Sequence, residues 1–143
     1  KMKIINPSVQ LEDEIDGQRK VKIHAVYKHF KHKEDGIINN YLYCTMFLAY
    51  PISEENVPEE IMRKAPKITT KHTETNEEIT LFYYDNQWNY INNDNETLVI
   101  YKSLYDGSFP YARPMDMFLS EVDKTKYPHV KQRYRFELLE GEE

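Results

Sequence analysis

Apolar and polar positions alternate along much of this chain with the two-residue period of half-buried strands. Val21, Ile23, Ala25 and Tyr27 alternate with Lys22, His24, Val26 and Lys28, which predicts a strand from Val21 onward. Residues 41–50 (YLYCTMFLAY) form an unbroken apolar and aromatic run of strand length and predict the most buried strand of the fold. Three further runs, 79–84, 88–91 and 97–105, are separated by Asp85-Asn86-Gln87 and by the polar stretch 92–96. Turn formers at both breaks predict an antiparallel meander. Near the end, Val130, Gln132, Tyr134, Phe136 and Leu138 alternate with Lys131, Arg133, Arg135 and Glu137, predicting a closing strand. Met2, Ile4 and Ile5 before Pro7 suggest a short leading strand, followed by an acidic turn ending at Gly17, and Glu34-Asp35-Gly36 predicts another turn.

The period changes twice. Pro58 with Glu59 and Glu60, then Arg63 and Lys64 before Pro66, has acids first and bases last, the order a short helix favours. After Pro114, the residues Met115, Phe118, Leu119 and Val122 are spaced by threes and fours and share one face of a second short helix, with Pro114 suited to its first position. Many short strands with one or two brief helices predict a mainly β fold: a small SH3-like, partly open antiparallel barrel. With 143 residues and no internal repeat or long linker, the chain is read as a single domain, 1–143.

Four stretches then stand together in order: Tyr27-Lys28-His29-Phe30-Lys31, His72-Thr73-Glu74-Thr75, residues 98–105 (LVIYKSLY), and residues 112–118 (ARPMDMF) with their continuation LSEVDKTKYPHVKQRYRFELLE. Together they resemble the domain-of-unknown-function family 1653, a small bacterial and phage family. Its members look like a YxHFKG start, an HTET or HSET turn, an LVVYxxLYG strand, an RPxxMF helix start and a KYPxVKQxYRF ending. The resemblance covers about 21–139. It departs where His32 replaces the glycine expected after Lys31, and in extra length near 53–66 and 83–95, read as insertions. It implies a fold class and carries no activity.

Composition narrows the chemistry. The net charge of −5 argues against a protein built chiefly to coat nucleic acid, which relies on clustered Lys and Arg. Lys131, Arg133 and Arg135 beside Tyr127 leave single-stranded nucleic-acid or nucleotide binding as an alternative, disfavoured by that charge. Cys44 is the lone cysteine of the sequence, so no disulfide staples the chain, and with no long apolar run the expected setting is cytoplasmic, without membrane contact. Cys44 sits in an apolar run and reads as a core thiol rather than a nucleophile. His24, His29, His32, His72 and His129 show no HExxH or comparable spacing, so no metal or cofactor is expected.

The remaining candidates are polar residues at junctions. His72 and Glu74 read first as turn chemistry, second as a recognition or acid/base pair. Arg113, held extended by Pro114, offers a fork for a carboxylate or phosphate, aided by the first N–H groups of the helix; the competing reading is an ion pair with Asp116. The expected ligand-binding set is Tyr27, His29, His72, Glu74, Tyr101, Arg113 and Asp116. It suits a recognition module for a partner protein or small anionic ligand; an enzyme acting on a small polar substrate through His72, Glu74 and Arg113 is the weakest of the three readings, since no nucleophile, metal set or phosphate loop supports it.

Overall fold

The computed structural model describes residues 2–4, 14–15, 18–32 and 40–141; Glu34-Asp35-Gly36, Pro7 and Gly17 lie outside them. The chain is mainly β. Its strands are β1 (Met2–Ile4), β2 (Glu14–Ile15), β3 (Gln18–Arg19), β4 (Val26–His29), β5 (Leu42–Ile52), β6 (Lys67–His72), β7 (Glu78–Tyr84), β8 (Gln87–Ile91), β9 (Leu98–Ser103), β10 (Tyr111–Pro114) and β11 (Phe136–Gly141). Two short helices, α1 (Glu59–Lys64) and α2 (Met115–Phe118), interrupt them.

Strands β5, β8, β7, β6, β10 and β9 pair in succession, and β9 returns to β5, closing a ring. Strands β4, β11 and β1 extend from β5. The ladders are not all antiparallel: β5 pairs with β8, and β6 with β10, in parallel. The predicted meander is therefore half present. Strands β7 and β8 form a hairpin whose turn residues Asp85 and Asn86 both adopt positive φ (57° and 61°), as a two-residue primed turn requires. The third run, β9, leaves its sequence neighbour and pairs with β5 and β10 instead.

Strand β9, not residues 41–50, is the most buried strand: Leu98, Val99, Ile100 and Tyr101 are all almost completely covered. Leu98 and Ile100 face a core with Ala49, Leu81, Tyr90 and Ala112, and Val99 and Tyr101 face a second one with Tyr27, Phe118, Phe136 and Leu138. A strand packed on both faces has no polar side to reveal by alternation. In β5 a register shift between Thr45 and Phe47 changes parity, so Tyr43 and Leu48 pack against the second core while Phe47 and Ala49 belong to the first. Cys44, in this strand, is half-buried.

Three boundaries differ from the sequence pattern for identifiable reasons. The strand expected from Val21 begins only at Val26, because His24 takes a left-handed φ of 57°. Buried Thr45 takes over: its Oγ1 donates to the Lys22 carbonyl at 2.6 Å and accepts the Ala25 N–H at 3.1 Å. Helix α2 ends after four residues, with Pro114 preceding it as the last residue of β10 rather than opening the helix. The Arg135 N–H donates to the Ser120 carbonyl and the Val122 N–H to the Arg133 carbonyl, drawing that segment into a bridge where a helix would have continued. The closing strand starts at Phe136 instead of Val130; Phe136 and Leu138 are buried as the alternation predicts, but so is Glu137, whose carboxylate accepts the N–H groups of Arg133 and Tyr134. Helix α1 has the expected charge order, with Lys64 donating to Glu60 at 3.0 Å. No described helix is long and apolar enough to cross a membrane.

Candidate functional site

At the margin of the second core lies a cavity of about 200 Å³ lined by His29, Lys31, Tyr41, Tyr43, Thr73, Tyr101, Tyr111, Arg113 and Phe136. Strand register explains the gathering. Tyr111 and Arg113 are two apart on β10 and so share a face, Tyr111 stands opposite Tyr101 on β9, and Phe136 on β11 stands opposite His29 on β4. Tyr43 packs edge-on against Tyr101 and Phe136, with ring centres 5.3 and 5.8 Å apart. The walls are thus aromatic faces, and the polar groups are few and convergent.

Arg113 is the central polar group. Its Nε donates to the Tyr101 hydroxyl at 2.9 Å, and its guanidinium stands 5.5 Å from the centre of the Phe136 ring. The side chain is only 13% exposed, yet its Nη1 has no hydrogen-bond acceptor. Glu74 Oε2 lies 3.8 Å from that nitrogen, close enough for charge attraction and too far for a hydrogen bond. A buried guanidinium with an unfilled donor is costly to the fold.

His29 sits against Phe30, Tyr41 and Phe136 and accepts the Lys31 N–H at Nδ1, which leaves its other ring nitrogen to carry the proton. Burial, reinforced by Arg113, Arg135 and Lys31, pushes its pKa down to about 3, so the ring is neutral at ordinary pH. Burial also raises the pKa of Tyr101, with Arg113 opposing, and burial beside Tyr101 and Tyr111 raises that of Tyr43. Both hydroxyls keep their protons and act as donors as well as acceptors.

Of the residues singled out from sequence, His29, Tyr101 and Arg113 meet in this cavity and Glu74 stands beside Arg113. The other three do not line it. Tyr27 is fully buried in the second core, where its hydroxyl accepts the Lys22 N–H. His72 holds its own turn: Nδ1 accepts the N–H groups of Glu74 and Thr75 at 3.2 and 3.3 Å. Asp116 is exposed and borders a different hollow with Asn95, Glu96, Thr97, Pro114 and Met115. Arg113 accordingly pairs with Glu74 rather than Asp116, and α2 lends it no free donor from Met115, whose N–H is taken by the Thr97 carbonyl.

Residues 90–138 match the family model described as Protein of unknown function (DUF1653). No curated protein and no solved structure matches the chain significantly. The matched DUF1653 segment holds Tyr101, Tyr111, Arg113 and Phe136, whereas His29, Lys31, Tyr41, Tyr43 and Thr73 come from outside it. It is also shorter than the resemblance drawn from sequence, which begins at residue 21.

Lys31, Tyr41, Tyr43, Thr73, Tyr111 and Phe136 were not among the sequence candidates. The i, i+2 spacing of Tyr111 with Arg113, and of Tyr41 with Tyr43, was the signal available for three of these positions. Lys131, Arg133 and Arg135 do not form a basic strand face, because 130–133 are not in a strand; Arg133 pairs with Glu121 and Arg135 donates to Ser120 Oγ. Among the described residues no group of three or more His, Cys, Asp or Glu gathers as a metal site.

Proposed function

We propose that this protein is a non-enzymatic recognition module that binds an anionic group in the cavity around Arg113. One observation carries the reading: on the wall of a hollow lined by tyrosines, a largely buried guanidinium keeps one donor, Nη1, without a hydrogen-bond acceptor. Arg and Tyr are the residue types that most often anchor recognition surfaces, and few convergent polar groups among apolar walls are the usual anatomy of a ligand site. Neutral His29 is engaged at Nδ1 by the backbone and so offers no free base from that nitrogen, which favours binding over catalysis. We read the ring of strands as a variant of a small SH3-like barrel, with segments 53–66 and 83–95 as additions to a bacterial or phage DUF1653 core working in the cytoplasm.

The reading is tested by thermal shift with a panel of small anions and their neutral isosteres. Anions are expected to raise the melting temperature of the wild type and to leave that of Arg113→Ala unchanged. Equal shifts in the two proteins, or shifts with the neutral isosteres alone, would contradict it.

A further inference from the structure

Resting on that reading, we infer that the anion recognised is a carboxylate carried on a small, flat apolar body, not a phosphate. The donors that converge are side-chain donors of limited number. Arg113 offers Nη1, while its Nε is occupied by the Tyr101 hydroxyl. With its oxygen accepting that bond, the Tyr101 hydroxyl still keeps a proton of its own to donate. A guanidinium edge and a hydroxyl match the two oxygens of a carboxylate.

Phosphate sites commonly add backbone N–H groups from a turn or helix start, and here the neighbouring turn has none to give. The Thr73 N–H donates to the Ala112 carbonyl, those of Glu74 and Thr75 to His72 Nδ1, that of Asn76 to the His72 carbonyl, and that of Glu77 to Thr75 Oγ1. Charge argues the same way. The Glu74 carboxylate, 3.8 Å from Arg113 Nη1, would repel a dianion more strongly than a monoanion, and His29 contributes no charge. Lys31 supplies one further cation at the wall.

The remaining surface selects the body of the ligand. The Tyr43 and Tyr101 rings pack against each other and each against those of Tyr111 and Phe136, with centres 5.3 to 6.3 Å apart, a setting for a planar or apolar group. A volume of about 200 Å³ is below that of sites for nucleotides or drug-sized molecules, and suits a small aromatic acid or the last residue of a peptide chain. Both sources share the carboxylate and the apolar body. Glu74 is then the internal competitor that the ligand displaces from Arg113.

Ligand-observed NMR titrations of the full chain can decide the matter, using benzoate, benzamide, phenyl phosphate, N-acetylphenylalanine and N-acetylphenylalaninamide as probes. Benzoate or N-acetylphenylalanine is expected to bind at least tenfold more tightly than its amide and than phenyl phosphate. Preference for benzoate points to a free acid, and preference for N-acetylphenylalanine to a chain terminus. Tyr101→Phe is expected to weaken carboxylate binding several-fold, and Glu74→Gln to strengthen it, with both proteins folded by their amide spectra. Tighter binding of phenyl phosphate would overturn the carboxylate assignment while leaving the anion site standing. No binding of any anion at 10 mM, a concentration of order the weakest specific affinities, would overturn both.

Discussion

At the scale of single residues, the arrangement around Arg113 separates function from stability. Its guanidinium is mostly buried, bonded through Nε to Tyr101 and unfilled at Nη1. Replacing both members of such a polar pair by apolar groups of similar shape is often neutral or stabilising, whereas removing one strands the other. The double variant Arg113→Met with Tyr101→Phe is therefore expected to match or exceed wild-type stability in urea unfolding while losing anion binding. A loss of more than about 2 kcal/mol, the scale of a broken buried network, would mean that the pair serves the fold. His29 gives a second prediction at this scale. In the unfolded chain its imidazole takes up a proton near 6.5, and in the folded protein only near 3. Stability gained by keeping it neutral is complete above pH 6.5 and is lost progressively as pH falls toward 3, because the unfolded state binds the extra proton. Groups facing it are Lys31 on its own segment, Arg113 of β10 and Arg135 before β11, all cationic and all acting in this direction. Unfolding curves at pH 7, 5.5 and 4.5 should show a steeper acid loss for wild type than for His29→Gln; parallel losses would contradict it.

At the scale of elements, strand β9 divides two cores, and its residues should respond independently. Ile100→Ala empties the core inside the ring and is expected to cost about 2–5 kcal/mol, with Val99→Ala on the opposite face costing less because fewer carbons are removed. Although adjacent in the strand, the two side chains pack in clusters that share no residue, and sites without shared partners add, so their double variant should lose the sum in urea unfolding; strong coupling would show that the faces are one core. Alternation in sequence revealed strands readily where one face meets solvent. It could not rank β9 above residues 41–50, since both are apolar throughout and only pairing partners distinguish them. The same limit hid the bulge in β5 and the left-handed turn at His24, where Thr45, distant in sequence, replaces the ladder. Local turn chemistry was more legible. Asp85 and Asn86 announced their hairpin, and Asn86→Ala, which places a Cβ-bearing residue without a local polar bond at φ 61°, is expected to cost about 1 kcal/mol against no loss for Asn86→Gly.

At the scale of the whole molecule, the site exists because the ring closes and β4 and β11 then lie against it. Residues 29, 31, 41 and 43 arrive from the first half of the chain, 73 from the β6–β7 turn, and 101, 111, 113 and 136 from the second half. The residue types were visible in sequence, but their convergence was not, because it depends on long-range register: Arg113 opposite Val99, Phe136 opposite His29. That explains why Asp116, three residues from Arg113 and chemically plausible, lies elsewhere, and why Tyr111 and Tyr43 were overlooked. The central claim is that an anion enters this particular cavity and meets Arg113. A two-dimensional NMR titration of the isotope-labelled chain with benzoate tests it most directly, by following the Arg113 Nε–H signal and the backbone amides of Thr73, Tyr101 and Tyr111. The account predicts saturable shifts confined to those groups and absent from Arg113→Ala; shifts that scatter over the surface, or that centre on Asp116, would contradict it.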